Sequence, residues 1–312
     1  MNIKQLRFVQ AVASSSSFSK AAELCHVTQP TLSNAIAQLE TEFDNKIFER
    51  TTRSVSLTPF GLHVLPLIER SISDLDELGA AAHAWKNPDK KLIRLGLSPV
   101  VDMRLLQAIL APYRDAHTDV EFYYKECYLN DLEQRLKLQQ LDIILIPPNV
   151  AGHTHDKTHL YQEPLCYVPC RGGRFEQVDA PVTLSDVSSE VLVLTTDACG
   201  LRSVTIDIFE QNKIKIKNYP GQATTYSVVE DWADLGIGAG ILPQSKISPA
   251  SDLSTSLLVG PGETAYIGCE AVWTQDTAAQ DHVSSLIEHF RTLTSNIVAE
   301  YSRPHGKRRC RE

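Results

Sequence analysis

Apolar positions near the N-terminus recur at helical spacing and predict two short helices. A compact apolar stripe lies at 21–24, and Leu32, Ile36 and Leu39 then follow every three or four residues. Thr28 stands where its side chain can cap the second helix. Two short helices around a tight turn form a helix-turn-helix, whose second helix fits the major groove of duplex DNA.

The segment after the second helix predicts a β-wing. Two short segments, 46–50 and 55–57, flank a basic tip, and Arg50 and Arg53 can reach phosphates or a narrow minor groove. The outward residues of the second helix are small and polar, so they can approach base edges closely. The predicted DNA contacts are Ser19, Gln29, Pro30, Thr31, Ser33, Asn34, Arg50 and Arg53.

A single apolar stripe continues from Gly61 to about Trp85 and predicts a long helix. A helix with one apolar stripe needs a cover, and a second copy of the same helix supplies one in the manner of a coiled coil. Packing of the stripe on its own domain is the alternative. The members of the stripe are Leu62, Leu65, Ile68, Ile72, Leu75 and Leu78.

The period changes at Lys91, where apolar strands begin to alternate with amphipathic helices. This alternation predicts a parallel sheet with helices on both faces, in two α/β halves that are joined by two crossings. The predicted strands are 92–97, 120–124, 143–146, a run from 164, 191–195, 214–219 and 264–273. The predicted helices are 103–114, 129–140, 201–212, 224–235 and 280–300.

A ligand is expected where several of these strands end. In open α/β sheets the binding crevice lies beyond the carboxyl ends of the strands, and helix N-termini that face it suit an anion such as a small carboxylate. Each hydroxyl there is equally well explained as a helix cap. The residues expected to contact a ligand are Ser98, Tyr128, Asn149, Thr196, Cys199 and Thr224.

The N-terminal region closely resembles the LysR-type transcriptional regulators. One departure is Asn34, since the family often has arginine there; asparagine suits adenine rather than guanine. The C-terminal part resembles the family's effector domain, itself similar to periplasmic solute-binding proteins, in pattern rather than in residue identity. The matching N-terminal segments are 6–8, 17–22, 29–33, 36–40, 48–51 and 57–61.

The resemblance implies a ligand-responsive, sequence-specific regulator of transcription. The implied fold is an N-terminal winged helix-turn-helix that is mainly α, a long linker helix, and a C-terminal α/β effector domain of two subdomains. The implied partners are operator DNA, a small-molecule effector (an anion in one reading), a second or further copies in a homodimer or homotetramer, and RNA polymerase. We expect domain boundaries at 1–58 for the head, 59–86 for the linker helix, 87–91 for a hinge, 92–302 for the effector domain (subdomain I 92–163 and 268–302, subdomain II 164–267), and 303–312 for a disordered basic tail.

Charge and candidate chemistry add little to this assignment. Residues 1–58 hold six Lys/Arg and five Asp/Glu, net +1, so the remainder of the −8 chain carries −9. An acidic body would be repelled by DNA while the head is not. Paired catalytic groups, a metal-ligand pattern and a cofactor fingerprint are not found, so neither enzyme activity nor a cofactor is expected. No signal peptide or membrane span is predicted, which favours a cytoplasmic location.

Two other interpretations stay open. Cys199 precedes Gly200-Leu201-Arg202 near a predicted helix N-terminus, where a thiol can become reactive, and peroxide-sensing LysR relatives carry a reactive cysteine in this region. A thiol redox-sensing regulator is therefore one alternative, although a resolving cysteine does not follow before Cys269. The alternative from another class is a cytoplasmic small-molecule binding protein whose head does not bind DNA.

Overall fold

A computed structural model gives the fold in two compact units, Met1–Pro88 and Asp89–Glu312. The residues that it describes are 1–15, 17–50, 55–86, 90–149, 155–177, 180–249, 251 and 253–293. Arg53, residues 87–89 of the predicted hinge and the basic tail lie outside this set.

The first unit is a three-helix head with a two-stranded wing and one long helix. Ser17 caps the second helix by accepting a bond from the Lys20 amide, and Thr28 caps the third at the Thr31 amide. The two strands pair antiparallel. The elements are α1 Ile3–Ser15, α2 Phe18–Leu24, α3 Gln29–Glu42, β1 Phe48–Arg50, β2 Val55–Leu57 and α4 Pro59–Lys86.

The apolar stripe of α4 divides between two roles. Ile68 and Ile72 are each 5% exposed and belong to the core of the head. For these two residues the expectation of a dimer seam was wrong, because α1 packs against this part of α4 and covers them. Large apolar side chains that α4 leaves exposed in this unit are Leu62, Leu67, Leu75 and Leu78.

The second unit is built on a mixed sheet. Three parallel strands begin it in the spatial order β4-β3-β5, and β12 then pairs antiparallel with β5, where the sequence had predicted a parallel sheet throughout. The strands are β3 Lys91–Leu97, β4 Val120–Glu126, β5 Ile143–Ile146, β6 Asp156–Val168, β7 Val182–Thr183, β8 Val191–Leu192, β9 Lys217–Asn218, β10 Gly240–Pro243, β11 Ser256–Val259 and β12 Tyr266–Trp273. The helices are α5 Met103–Ala116, α6 Leu129–Lys137, α7 Leu184–Val187, α8 Leu201–Gln211, α9 Tyr226–Asp234, α10 Gln275–Ala278 and α11 Asp281–Leu293.

Strand β6 runs through both halves of this unit. Its first part pairs with β12, and its last residues pair with β10 and β11 of the other half. Thirteen residues of strand extend about 40 Å, which is long enough to serve two cores. The segment around His159 is part of this strand, because Thr158 and His159 pair with β12.

Asp142 anchors the start of β5 from inside the protein. The side chain is 1% exposed and accepts bonds from the Arg94 amide at 2.7 Å and from the Arg94 guanidinium at 2.6 and 3.1 Å. A bidentate arginine partner compensates the burial of the carboxylate. The pair thus joins β3 to the residue directly before β5.

Candidate functional site

The first turns of α3 present a polar ridge to solvent. Gln29, Pro30, Thr31 and Asn34 are exposed, whereas Ser33 is half-buried. Leu32, Ile36 and Leu39 are fully buried on the opposite side and fix the rotation of the helix. Ser19, on α2, is exposed as well. The predicted ridge is therefore accessible to solvent, so that a DNA base can approach it.

A buried carboxylate holds the wing against α3. Glu40 is 2% exposed, and its Oε1 accepts bonds from the Ile47 and Phe48 amides at 2.9 and 3.1 Å. Its other oxygen pairs with the Lys46 ammonium at 3.0 Å. Sequence reasoning missed this residue, although its place directly after Leu39 puts it at the edge of the buried face of α3.

Hydrogen bonds also join the start of α4 to the backbone just before the wing. Thr58 donates its hydroxyl to the Lys46 carbonyl at 2.6 Å and accepts a bond from the Gly61 amide at 2.9 Å. A Cβ on Gly61 would lie 2.2 Å from the Ile47 carbonyl oxygen, so only glycine fits. Arg50 lies opposite Val55 in the wing ladder; its side chain, like all of Arg53, lies outside the described structure.

The loop after β3 docks on the other half of the second unit. Ser98 is 1% exposed, and its hydroxyl donates to the Cys199 carbonyl at 2.9 Å. Val100 packs into the core of that half. Ser98 and Cys199, predicted as ligand contacts from positions a hundred residues apart, are thus neighbours, and the Ser98 hydroxyl joins the two halves directly.

The other loops expected at the cleft approach the same point. An added Cβ on Gly200 would lie 3.0 Å from Pro147 and 3.2 Å from Leu129, so the segments carrying Asn149, Tyr128 and Cys199 converge. Tyr128 is 53% exposed, and Asn149 is exposed with a φ of +64°. Thr196 is half-buried and its amide donates to the Ala223 carbonyl, whereas Thr224 is exposed.

Two charged residues that the sequence did not single out also meet here. The Lys246 ammonium donates to the Val101 carbonyl at 2.8 Å, across the two halves. Glu163, which is 6% exposed on β6, accepts bonds from the amide and hydroxyl of Ser245 at 2.9 and 3.0 Å. Nothing in local sequence marks either residue, because their proximity depends on where β6 and β10 are placed.

Burial raises the pKa of Glu163 and lowers that of Lys246, so both shifts favour the uncharged form of the group. Desolvation raises the pKa of Glu163 to about 7; the Ser245 bonds and the Lys246 charge oppose the shift and Asp102 adds to it. Burial likewise lowers the pKa of Lys246, against the effect of Glu163, Glu126 and Asp102. The junction between the two halves of the second unit therefore contains a carboxyl group with a pKa of about 7.

Replacing Glu163 with glutamine is expected to remove a pH-dependent loss of stability. The pKa of Glu163 in the folded protein, about 7, exceeds the ordinary value of 4.5. The stability that protonated Glu163 contributes to the fold is therefore fully present below pH 4.5 and is lost as the pH rises through 7. The loss amounts to about 3 kcal/mol by pH 8. Urea unfolding from pH 5 to 8 should show the unfolding free energy of the wild type falling relative to that of Glu163→Gln. The control Glu288→Gln, at an exposed residue, should follow the wild type. Parallel profiles for the wild type and Glu163→Gln would contradict the expectation.

The head and the two-halved second unit together define a class: a helix-turn-helix regulator coupled to a small-molecule-binding domain. Residues 3–62 match the sequence profile "Bacterial regulatory helix-turn-helix protein, lysR family", and residues 86–295 match "LysR substrate binding domain". The chain belongs to the LysR family of bacterial transcriptional regulators.

Similar proteins agree with this assignment. The chain is 25% identical to the DNA-binding transcriptional dual regulator OxyR of Escherichia coli, over 80% of this chain and 81% of that protein. A cysteine mutant of Corynebacterium glutamicum OxyR has a similar fold, with a TM-score of 0.56 at 20% identity over 96% of this chain and 92% of that one. CbnR, a LysR family regulator, gives a TM-score of 0.57 at 16% identity over 94% and 99%. No helix among the described residues has the length and apolarity of a membrane span.

Proposed function

We propose that this LysR-type regulator reads its operator through the ridge Gln29, Pro30, Thr31, Ser33 and Asn34, with the wing holding the backbone or the minor groove. The observation that carries the proposal is the exposure of this polar ridge at the start of α3 while the other face of the helix is fully buried. Asparagine at 34 favours adenine within the half-site. Such a protein acts in the cytoplasm, where its DNA is.

The effector binds between the two halves of the second unit, around the convergence of the Ser98, Pro147 and Cys199 loops. A ligand that binds one arrangement of the halves better than another shifts the population toward it. The bonds of Ser98 to Cys199 and of Lys246 to Val101 are the contacts that such a shift would alter. The function of the second unit is thus to convert effector binding into a change of geometry.

Self-association supplies the second copy that a paired operator requires. Leu67, Leu75 and Leu78 are between 45% and 65% exposed on α4. Large apolar side chains grouped on one helix favour a protein contact over solvent. We propose that these residues, rather than Ile68 and Ile72, form the contact between linker helices in a dimer or tetramer.

Footprinting with effector titration tests the proposal. The wild-type chain selects a duplex from a random pool, and small molecules that raise its melting temperature are then added to the complex. A shifted or lengthened footprint with at least one binder is expected. An unchanged footprint with every binder would contradict ligand regulation while leaving DNA binding intact.

A second candidate is regulation by oxidation of Cys199. Several relatives of about 25% identity are called hydrogen peroxide-inducible genes activators. In this chain the Cys199 residue is 6% exposed and lies beside the Tyr226 hydroxyl, a position in which oxidation would disturb the contact between the two halves. Oxidant-dependent footprints are expected to disappear in Cys199→Ser under this candidate, and a normal response in that variant would eliminate it.

A further inference from the structure

A buried glutamine of α1 bonds to the backbone of α3 directly beside a predicted base-reading residue. Gln5 is 7% exposed, and its Nε2 donates to the Ala35 carbonyl at 3.2 Å. Ala35 follows Asn34 in α3, so the Cα atoms of these two residues lie about 3.8 Å apart. The bond is therefore made to the stretch of backbone that carries Asn34.

Both ends of the Gln5 amide have a partner. Its Oε1 accepts a bond from the Asn2 amide at 2.9 Å, and Asn2 Oδ1 accepts one from the Gln5 amide at 3.0 Å. This reciprocal pair closes the first turn of α1 in the manner of a capping box. Because the Asn2 N–H only donates and the Ala35 carbonyl only accepts, a single orientation of the Gln5 side chain satisfies both.

Helix α1 is a firm support for this bond. Phe8, Val9 and Val12 are between 0% and 3% exposed, and α1 packs on α2, α3 and α4. A side chain that is held against the first turn of α1 is thus fixed relative to the rest of the head. Gln5 transmits that fixed position to α3.

The apolar face of α3 does not fix the helix as closely as this bond does. Burial of Leu32, Ile36 and Leu39 decides which side of α3 faces inward, but the hydrophobic effect is non-directional and tolerates small shifts. A hydrogen bond requires a narrow range of distance and angle. Reading adenine through two hydrogen bonds requires the side chain to be held within about 0.5 Å.

We propose that Gln5 is a positioning residue for operator reading, whose bond to the Ala35 carbonyl sets α3 so that Asn34 meets its base. The inference rests on the proposed function and adds a residue that is itself buried away from DNA. Inside an α-helix a carbonyl also accepts the amide four residues later. Helix α3 therefore keeps its own bonds when Gln5 is replaced, and its position is what changes.

A double-mutant cycle tests this role. Fluorescence anisotropy of the full chain on its selected duplex, at one salt concentration, compares Gln5→Met, Asn34→Ala and the double variant. Gln5→Met is expected to weaken binding about 3- to 10-fold, the effect of one neutral hydrogen bond. In the Asn34→Ala background the same change should weaken binding less than about twofold, because two residues that act through one contact are not additive.

Gln10→Met is the matched control, since it makes the same chemical change on the same helix. Gln10 is half-buried, and five residues after Gln5 the helix has turned by about 140°, away from the side that Gln5 uses. Affinity within about twofold of the wild type is expected. A loss as large as that of Gln5→Met would show that any change in α1 weakens binding, and would overturn the specific role of Gln5.

Gln5→Glu keeps the inference testable if Gln5→Met does not fold. Glutamate retains the acceptor for the Asn2 amide and the length of the side chain, and its carboxylate has no proton to donate to Ala35. It is expected to weaken binding at least as much as Gln5→Met. Chemical unfolding of each variant identifies those whose head is folded, and a folded Gln5→Glu with full affinity would overturn the proposal.

The cycle also separates this inference from the proposed function. Full affinity of folded Gln5→Met, or an equal loss in the wild-type and Asn34→Ala backgrounds, would overturn the positioning role while operator binding stood. If Asn34→Ala alone kept full affinity, both the reading role of Asn34 and this inference would be wrong. Absence of specific binding by the wild type would overturn the proposed function itself.

Discussion

Alanine at both Gln29 and Asn34 is expected to lower affinity for the selected duplex by roughly 10²–10⁴-fold, because each base contact contributes about 1–3 kcal/mol. Both side chains are exposed at the start of α3, and neither supports the core. The loss should therefore appear in binding and not in folding. Fluorescence anisotropy at one fixed salt concentration measures it, since phosphate contacts make affinity depend on salt.

Thr41→Ala is the matched control for that double variant. Thr41 is also exposed on α3 and bonds only locally, to the Ala37 carbonyl at 2.8 Å. It lies seven residues beyond Asn34, about 10 Å further along the helix axis. Affinity close to that of the wild type is expected. If the double variant also kept full affinity, Gln29 and Asn34 would not be the residues that read the duplex. If the wild type itself bound no duplex specifically, a small-molecule binding protein with a non-DNA-binding head would become the better interpretation.

Glu40→Ala is expected to destabilise the head by about 4 kcal/mol, since it leaves the buried Ile47 and Phe48 amides without an acceptor and each such group costs roughly 1–3 kcal/mol. The first strand of the wing depends on those two bonds. Ile47 also accepts a bond from the Thr58 amide at 3.0 Å, so the start of α4 is coupled to the same point. Chemical unfolding of the full chain, followed together with DNA binding, measures both consequences.

Glu40→Gln distinguishes hydrogen bonding from charge. Glutamine keeps one acceptor oxygen for the two amides, and loses the negative charge and with it the pair with Lys46, whose side chain is 70% exposed. Exposed partners contribute little, so a loss of about 1 kcal/mol or less is expected. Equal destabilisation by alanine and glutamine would show that the charge, and not the pair of amide bonds, holds the wing.

Local pattern predicted the regular elements of the head closely. The spacing of Leu32, Ile36 and Leu39, with Thr28 before them, gave α3 its buried face and its cap, because helix periodicity and capping act over a few residues. In the second unit the strand at 143–146 has the predicted bounds. By contrast, β7, α7 and β11 were not predicted, since strands and helices of two to four residues carry too little periodicity to recognise.

The candidate site was predictable only in part. The rule that ligands bind beyond strand ends led to Ser98 and Cys199, which the structure places in contact. Whether any of the six predicted effector residues contacts a ligand stays a prediction, as do the individual DNA contacts and the domain boundaries. Lys246 and Glu163 escaped notice because each comes from a segment whose partner lies more than eighty residues away in the chain.

The sequence by itself determined the family, the polar ridge and the alternation of strands and helices, because these follow from short-range spacing of side chains. The tertiary structure alone decided which apolar residues of α4 the head covers, how β6 joins the two halves, and which residues meet across those halves. Those properties depend on packing between distant segments, where the burial of a residue is set by what folds over it and not by its neighbours in the chain.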